Sequence, residues 1–165
     1  MNDDERLTAL ARSLLDASTL CAIATVAPRG RAHVNTAYFA WSEAFELVWL
    51  SDPRSQHSRN IRARGTAAVA VYDSAQRWGR PDRGIQLFGT ARELEQARTA
   101  EALYGARFAD YTPIAAYRFY AFRPRRVKLF DERELGSAVF VSARVARARL
   151  ANARSEQLGS AARRL

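Results

Sequence analysis

Cysteine occurs once in the 165-residue chain, at Cys21, and lysine once, at Lys128. A single cysteine excludes an intramolecular disulfide framework and any multi-cysteine zinc or iron–sulfur site. Cys21 lies in a small, alternating apolar run, which reads as a core position. Histidine occurs twice, at His33 and His57. The two fall in different predicted elements with no third ligand evident, so no metal site is expected. The apolar runs are short and interrupted, far below the ~20 residues of a membrane-spanning helix. The first residues, Met-Asn-Asp-Asp-Glu, are acidic and lack the basic and apolar regions of a signal peptide. A reducing cytoplasm is therefore the expected location. No nucleophile–base constellation and no Rossmann glycine fingerprint is visible, so a dedicated dinucleotide domain is not expected.

What is abundant is arginine. Lys and Arg together number 26 against 17 acids, a formal charge of +9. Six arginines (Arg144, Arg147, Arg149, Arg154, Arg163 and Arg164) fall after Ser137, opposed there only by Glu156. The excess is thus concentrated at one end. A solvated basic face accounts for it, and nucleic acid is not the expected partner. With 48% apolar residues, a chain of this length supports one domain that buries about 70% of its unfolded surface.

Periodicity divides the chain into many short strands and few helices. Residues 3–17 form an amphipathic helix with Leu7, Leu10, Ala11, Leu14 and Leu15 on one face. Residues 19–27, 31–41 and 45–51 are strands with short connections, which favours an antiparallel meander. A short basic helix over 57–64 closes on Gly65. Strands follow over 66–73 and 84–94, with Gly89 a candidate bulge. A second amphipathic helix covers 96–108. A last long strand covers 117–130, broken at Pro124, and 138–145 alternates like a strand. The stretch 146–158 is rich in alanine and arginine and prefers helix. The expected fold is mainly β with flanking helices, a six-stranded antiparallel barrel that leaves no exposed edge. One domain covers 1–145, followed by a basic helix or tail over 146–165.

The most informative stretch is Leu47 to Ile61, a buried strand that stops at Ser51-Asp52-Pro53-Arg54-Ser55 and restarts as a helix. Asp52 followed by Pro53 is a natural helix opening. The free amides and positive dipole of such a turn suit an anion. Ser51 and Ser55 add hydroxyls; helix capping would also explain them. Ser55 and His57 are two apart, so His57 reaches the same spot only from an irregular first turn.

The order helix, three-strand meander, serine turn and helix, strand, Trp78 loop, and strand ending Gly89-Thr90-Ala91 resembles the FMN-binding split-barrel family typified by pyridoxamine 5′-phosphate oxidase. The resemblance spans about Leu14 to Phe130. It implies a six-stranded antiparallel split β-barrel, a homodimer with FMN in the groove between subunits, and oxidoreductase activity on a small molecule. By that resemblance Ser51 and Ser55 match the hydroxyls on the cofactor phosphate. Gln56 and His57 stand where the family has cations, and Arg59 or Arg62 could compensate. Asn35, Thr36 and Ala37 fall on the strand that runs along the flavin ring. Trp78 and Arg83 keep the spacing of the cofactor-side loop, and Gln86 could replace a glutamine absent at Gly84. The family's closing Arg-Leu-His-Asp-Arg run is Asp131-Glu132-Arg133-Glu134-Leu135 here, which argues against vitamin B6 oxidation. The missing cations leave the deazaflavin F420 as an alternative cofactor. A non-catalytic module that binds flavin, haem or no cofactor and acts through its arginine-rich tail is the alternative from another class.

Overall fold

A computed structural model describes residues 3–158. Helix α1 (Asp3–Asp16) precedes the meander β1 (Leu20–Val26), β2 (Ala32–Trp41) and β3 (Leu47–Ser51). Then come α2 (Gln56–Arg64), β4 (Thr66–Tyr72), β5 (Arg83–Glu93), α3 (Arg98–Arg107), β6 (Arg118–Asp131), β7 (Val139–Ala146) and β8 (Arg149–Gln157). All pairings are antiparallel, in the order β3-β2-β1-β4-β5-β6-β7-β8, and a further β3–β6 pairing closes the first six strands into a barrel. This is the expected six-stranded split barrel, with two strands added.

Strand β6 makes the closure possible by being long. Its first residues, 118–122, pair with β3, while 126–130 pair with β7. It bends at a bulge where the β5 register shifts between Phe88 and Gly89. A Cβ on Gly89 would lie 2.1 Å from the Arg123 carbonyl oxygen and 2.8 Å from Pro124 Cα, so only glycine lets the two backbones meet. The expected break at Pro124 does not occur. Pro124 sits at the bulge, where the ladder is already interrupted and its missing N–H costs little.

Inside the barrel, Ile23, Phe39, Leu47, Trp49, Ile85, Leu87, Tyr120, Phe122, Val127 and Leu129 are essentially inaccessible. Cys21 is among the core residues at 3% exposure, and burial pushes its thiol up to about 12. α1 closes one side through Leu7, Ala11, Leu14 and Leu15. α3 covers the outer surface of β3 and β6, where Tyr104 packs with Ala40, Val48, Phe119 and Ala121.

The tail corrects the sequence expectation. Residues 149–157 are strand, not helix. Arg147 and Ala148 both take left-handed backbone (φ 46° and 64°), and Ala146 pairs with Arg149 across them. This is a two-residue hairpin loop of the primed type, made without the Asn-Gly pair that normally announces one. Leu150, 1% exposed, is then held in the core, its amide donating to Thr8 Oγ1 at 3.0 Å. Tertiary burial overrides the helix propensity of alanine and arginine. The remainder of the expected tail, 159–165, lies outside the described residues.

Candidate functional site

β2 meets β3 only at Phe39, Ala40 and Trp41, although it pairs with β1 from Ala32 to Tyr38. Its first seven residues therefore present a free edge, and α2 fills part of the gap. Directly opposed residues of an antiparallel pair share a face. His33, Asn35 and Ala37 oppose Thr25, Ile23 and Cys21 and so point inward, whereas Val34, Thr36 and Tyr38 point out. The inward three are half-buried. Asn35 Oδ1 is buried without a hydrogen-bond partner.

α2 begins later than Asp52-Pro53 suggests. Asp52 accepts the Arg54 amide at 2.8 Å, and its carbonyl accepts the Ser55 amide at 3.0 Å, so Asp52 to Ser55 is a turn. The helix N-cap is Ser55, whose Oγ accepts from the Ser58 amide at 3.4 Å. At the other end Gly65, at φ 67°, closes it as expected. The helix is anchored inward by Asn60, 2% exposed, which donates to Thr25 Oγ1 at 3.0 Å.

A run of hydroxyls lies along this turn. Ser58 Oγ donates to the Asp52 carbonyl at 2.9 Å, and Ser55 Oγ donates to Ser58 Oγ at 2.8 Å. Because a carbonyl only accepts, the proton order is fixed from that end. Ser55 Oγ can then receive from Ser51 Oγ, 3.3 Å away, or from His57 Nδ1, 3.2 Å away. The Ser55 hydroxyl proton is thus committed within the turn. Ser51 Oγ and the amides of Gln56 and His57, which have no acceptor within the helix, are the donors left for a ligand.

His57 is 7% exposed and its ring is stacked on that of His33, with centroids 6.5 Å apart and planes within 10°. Burial, aided by repulsion from His33, pushes its pKa down to about 4, so it is neutral at pH 7. The sequence separates these two histidines; the split edge of β2 brings them together. Since His33 is two residues before Asn35 on the same strand, side-chain alternation was the signal that places it on the same inward face. Among the described residues no three His, Cys, Asp or Glu side chains gather into a metal site.

Cations near the turn are mostly engaged. Arg54 forms an ion pair with Asp52 at 2.9 Å, its guanidinium hydrogen bond holding that carboxyl down to about 2. Arg62 pairs with Glu93 at 2.8 Å. Arg59 has no carboxylate partner among the described residues and folds back over the first turn, donating to Gln56 Oε1 at 2.8 Å and to the Arg54 carbonyl. Gln56 in turn donates to Asn60 Oδ1 at 2.8 Å.

Ser51, Ser55, Gln56 and His57 therefore form one group at the start of α2, joined through the His33–His57 stack to the inward face of β2 that carries Asn35 and Ala37. Thr36, Gln86 and Trp78 do not join it within this chain. Thr36 opposes Ala22, Ala22 opposes Ala70, and Ala70 opposes Gln86, so Thr36 and Gln86 lie in one row on the outer wall of the barrel. Trp78 is fully exposed on the β4–β5 loop.

A sequence profile described as Pyridoxamine 5′-phosphate oxidase matches residues 7–131. The chain belongs to that family. Comparison with the curated proteins found no match. Among solved structures, one similar fold is a Clostridium acetobutylicum protein related to general stress protein 26, of the pyridoxinephosphate oxidase family. It has TM-score 0.66 and 11% identity, with 88% of this chain and 99% of that one covered. A FAD-binding protein from Mesorhizobium loti is similar at TM-score 0.60 and 20% identity, covering 73% and 91%. A heme binding protein from Mycobacterium smegmatis is similar at TM-score 0.65 and 18% identity, covering 83% of this chain and 57% of that one. At these identities the structural similarity shows the shared split-barrel fold alone.

The start of α2 suits an anion through its hydrogen-bond donors more than through its charge. Two helix amides and the Ser51 hydroxyl are uncommitted donors at this turn, and Arg59 is a nearby cation without a carboxylate among the described residues. The orphaned Asn35 Oδ1 is an acceptor of the kind that a ring N–H would satisfy.

Proposed function

We propose that this protein is a homodimeric flavoprotein that holds FMN in the cleft between β2 and α2 and acts as an oxidoreductase on a small molecule. The observation that carries this reading is the buried, unpartnered Asn35 Oδ1 on the inward face of β2, the strand whose His33 stacks on His57 in the donor-rich first turn of α2. When bound, FMN supplies the hydride- and electron-transfer chemistry. The chain's own residues hold and orient it. The amides of Gln56 and His57, the Ser51 hydroxyl and the Arg59 guanidinium would hold the phosphate. Asn35 would offer its unpartnered Oδ1 as an acceptor to the ring, with Ala37 beside it on the same face of β2. Neutral His57 donates or accepts a hydrogen bond without adding charge. Thr36, Gln86 and Trp78 contribute from the partner subunit, whose outer wall would face this cleft.

A second reading, a haem-binding protein, is favoured by one observation. His57 is a neutral, nearly buried imidazole stacked near His33, and neutral imidazole is the form that binds iron. It agrees with the similarity to the mycobacterial heme binding protein.

Titrating the purified protein with FMN, F420 and haemin, followed by absorbance, decides among them. FMN is expected to bind with a perturbed flavin spectrum, and a Ser55→Ala/His57→Ala variant to bind it roughly tenfold or more weakly, since two groups that shape the phosphate turn are lost. Unchanged FMN affinity in that variant overturns the placement. A Soret band with haemin but no flavin binding favours the second reading, and F420 binding without FMN binding favours the deazaflavin.

A further inference from the structure

The outer face of β6, β7 and β8 carries a second cluster that the cleft does not use. Arg126 opposes Arg144, and Lys128 opposes Ser142, which opposes Arg154. By this register Arg126, Lys128, Arg144 and Arg154 all project from one face of a three-stranded sheet. Side-chain alternation alone would not put Arg154 there. If β8 continued regularly from the Ala151–Arg144 pair, Ala153 would oppose Ser142 and Arg154 would point to the other face. Instead the register shifts between Ser142 and Arg144, so that Asn152 and Ala153 together oppose Ala143. Asn152 takes left-handed backbone (φ 55°) at this bulge. The extra residue re-aims Arg154 toward Arg126 and Arg144, a known use of bulges.

The resulting surface is concave, with a cavity of about 610 Å³ lined by Arg126, Ser142, Arg144, Asn152, Arg154 and Glu156. That volume falls in the range of small-molecule sites, about 300–1,000 Å³. Its one carboxylate, Glu156, is neutralised by Lys128 at 3.2 Å. Among the described residues, Arg126, Arg144 and Arg154 have no ion-pair partner, and Arg126 is steadied over the Phe88 ring at 4.5 Å. Like charges opposed across a sheet repel one another, a cost that a bound anion removes. Planar guanidiniums favour phosphate through paired N–H donors, and Ser142 and Asn152 add neutral donors.

We propose that this bulge-assembled arginine groove binds a small molecule through a diphosphate or triphosphate group. Three uncompensated guanidiniums match adjacent phosphates better than a single one. The proposal concerns the outer wall and does not depend on which cofactor occupies the cleft.

Isothermal titration of the full chain at low salt tests it, with inorganic pyrophosphate, ATP and orthophosphate as probes. Pyrophosphate and ATP should bind once per chain, and orthophosphate at least about tenfold more weakly. Arg144→Gln and Arg154→Gln should each weaken pyrophosphate about tenfold, the usual effect of losing a charge-assisted hydrogen bond. Exchanging neighbours, as Arg154→Ser with Ser155→Arg, keeps the charge of the chain but moves the guanidinium to the opposite face, and should weaken binding equally. Arg149→Gln, at a residue that borders α1 instead of the groove, should leave binding unchanged. The proposal is overturned if pyrophosphate gives no binding, or if Arg149→Gln weakens it as much as Arg154→Gln. It is also overturned if a single-stranded oligonucleotide binds and pyrophosphate does not displace it. Circular dichroism of each variant confirms that the fold is intact before its affinity is scored.

Discussion

Removing the proton-binding capacity of His57 should flatten the acid limb of the protein's stability. In the unfolded chain this histidine titrates near 6.5; in the fold, burial and then repulsion from His33 bring it down to about 4. Between those values the unfolded chain binds a proton that the folded chain refuses. Stability is therefore fully present above about pH 6.5 and is lost as pH falls toward 4. Integrating across that window gives a loss of roughly 2 kcal/mol between pH 7.5 and pH 5. Few carboxylates titrate that high, so the effect is separable. His57→Gln keeps a polar side chain of similar reach but removes the titration. Urea unfolding of both proteins at pH 7.5, 6 and 5 should show the parent losing about 2 kcal/mol more than the variant over the range. Parallel pH profiles for the two would refute the argument that His57 is held neutral. The same linkage predicts the sign of a ligand effect: a bound phosphate beside His57 favours its protonated form, so phosphate should raise its pKa.

Two other changes test the fold. Gly89→Ala places a methyl against backbone atoms at 2.1 and 2.8 Å, which no side-chain rotation relieves; the loss should be about 3 kcal/mol or more in urea unfolding, and a change under about 0.5 kcal/mol would show that the bulge is not rigid. Cys21, with its thiol pushed up to about 12 and 3% exposed, should react with a thiol reagent at pH 8 at least ~100-fold more slowly than free cysteine, and at the free rate in denaturing urea. Fast labelling in the native protein would contradict its core placement.

Most of the barrel was legible because its strands alternate and its turns carry the usual signals. The Pro28-Arg29-Gly30 turn, Gly65 at the end of α2, and the bulge glycine Gly89 each announce themselves. What misled was local chemistry that tertiary contacts override. The β7–β8 loop is Arg147-Ala148, with nothing in its composition to signal left-handed backbone, and the strand after it is made of helix formers. Only Leu150, held beneath α1, fixes the stretch as strand. Asp52-Pro53 looks like a helix opening, yet the Asp52 carboxylate is taken by Arg54, and the cap passes to Ser55. At the site, distance along the chain concealed the His33–His57 stack, because which strand edge stays unpaired depends on where β3 stops pairing with β2. No local window contains that information.

Strand parity also decides how the predicted site residues can cooperate. Asn35 and Ala37 point inward and Thr36, between them, points away. Thr36 then shares a row with Gln86 on the outer wall, separated from Ser51, Ser55 and His57 by the thickness of the sheet. A ligand lying wholly on the inward side of one chain reaches only the first set. If the two sets serve one cofactor, the outer wall of a second chain must supply Thr36 and Gln86, and the exposed Leu20, Val34 and Tyr38 beside Thr36 would be the apolar surface that two-fold packing covers. If the protein instead binds its cofactor as a monomer, Thr36, Gln86 and Trp78 drop out and the inward set alone must account for the affinity. The alternation that turns Asn35 inward is thus the same fact that leaves Thr36 and Gln86 for a second chain under the proposed dimer.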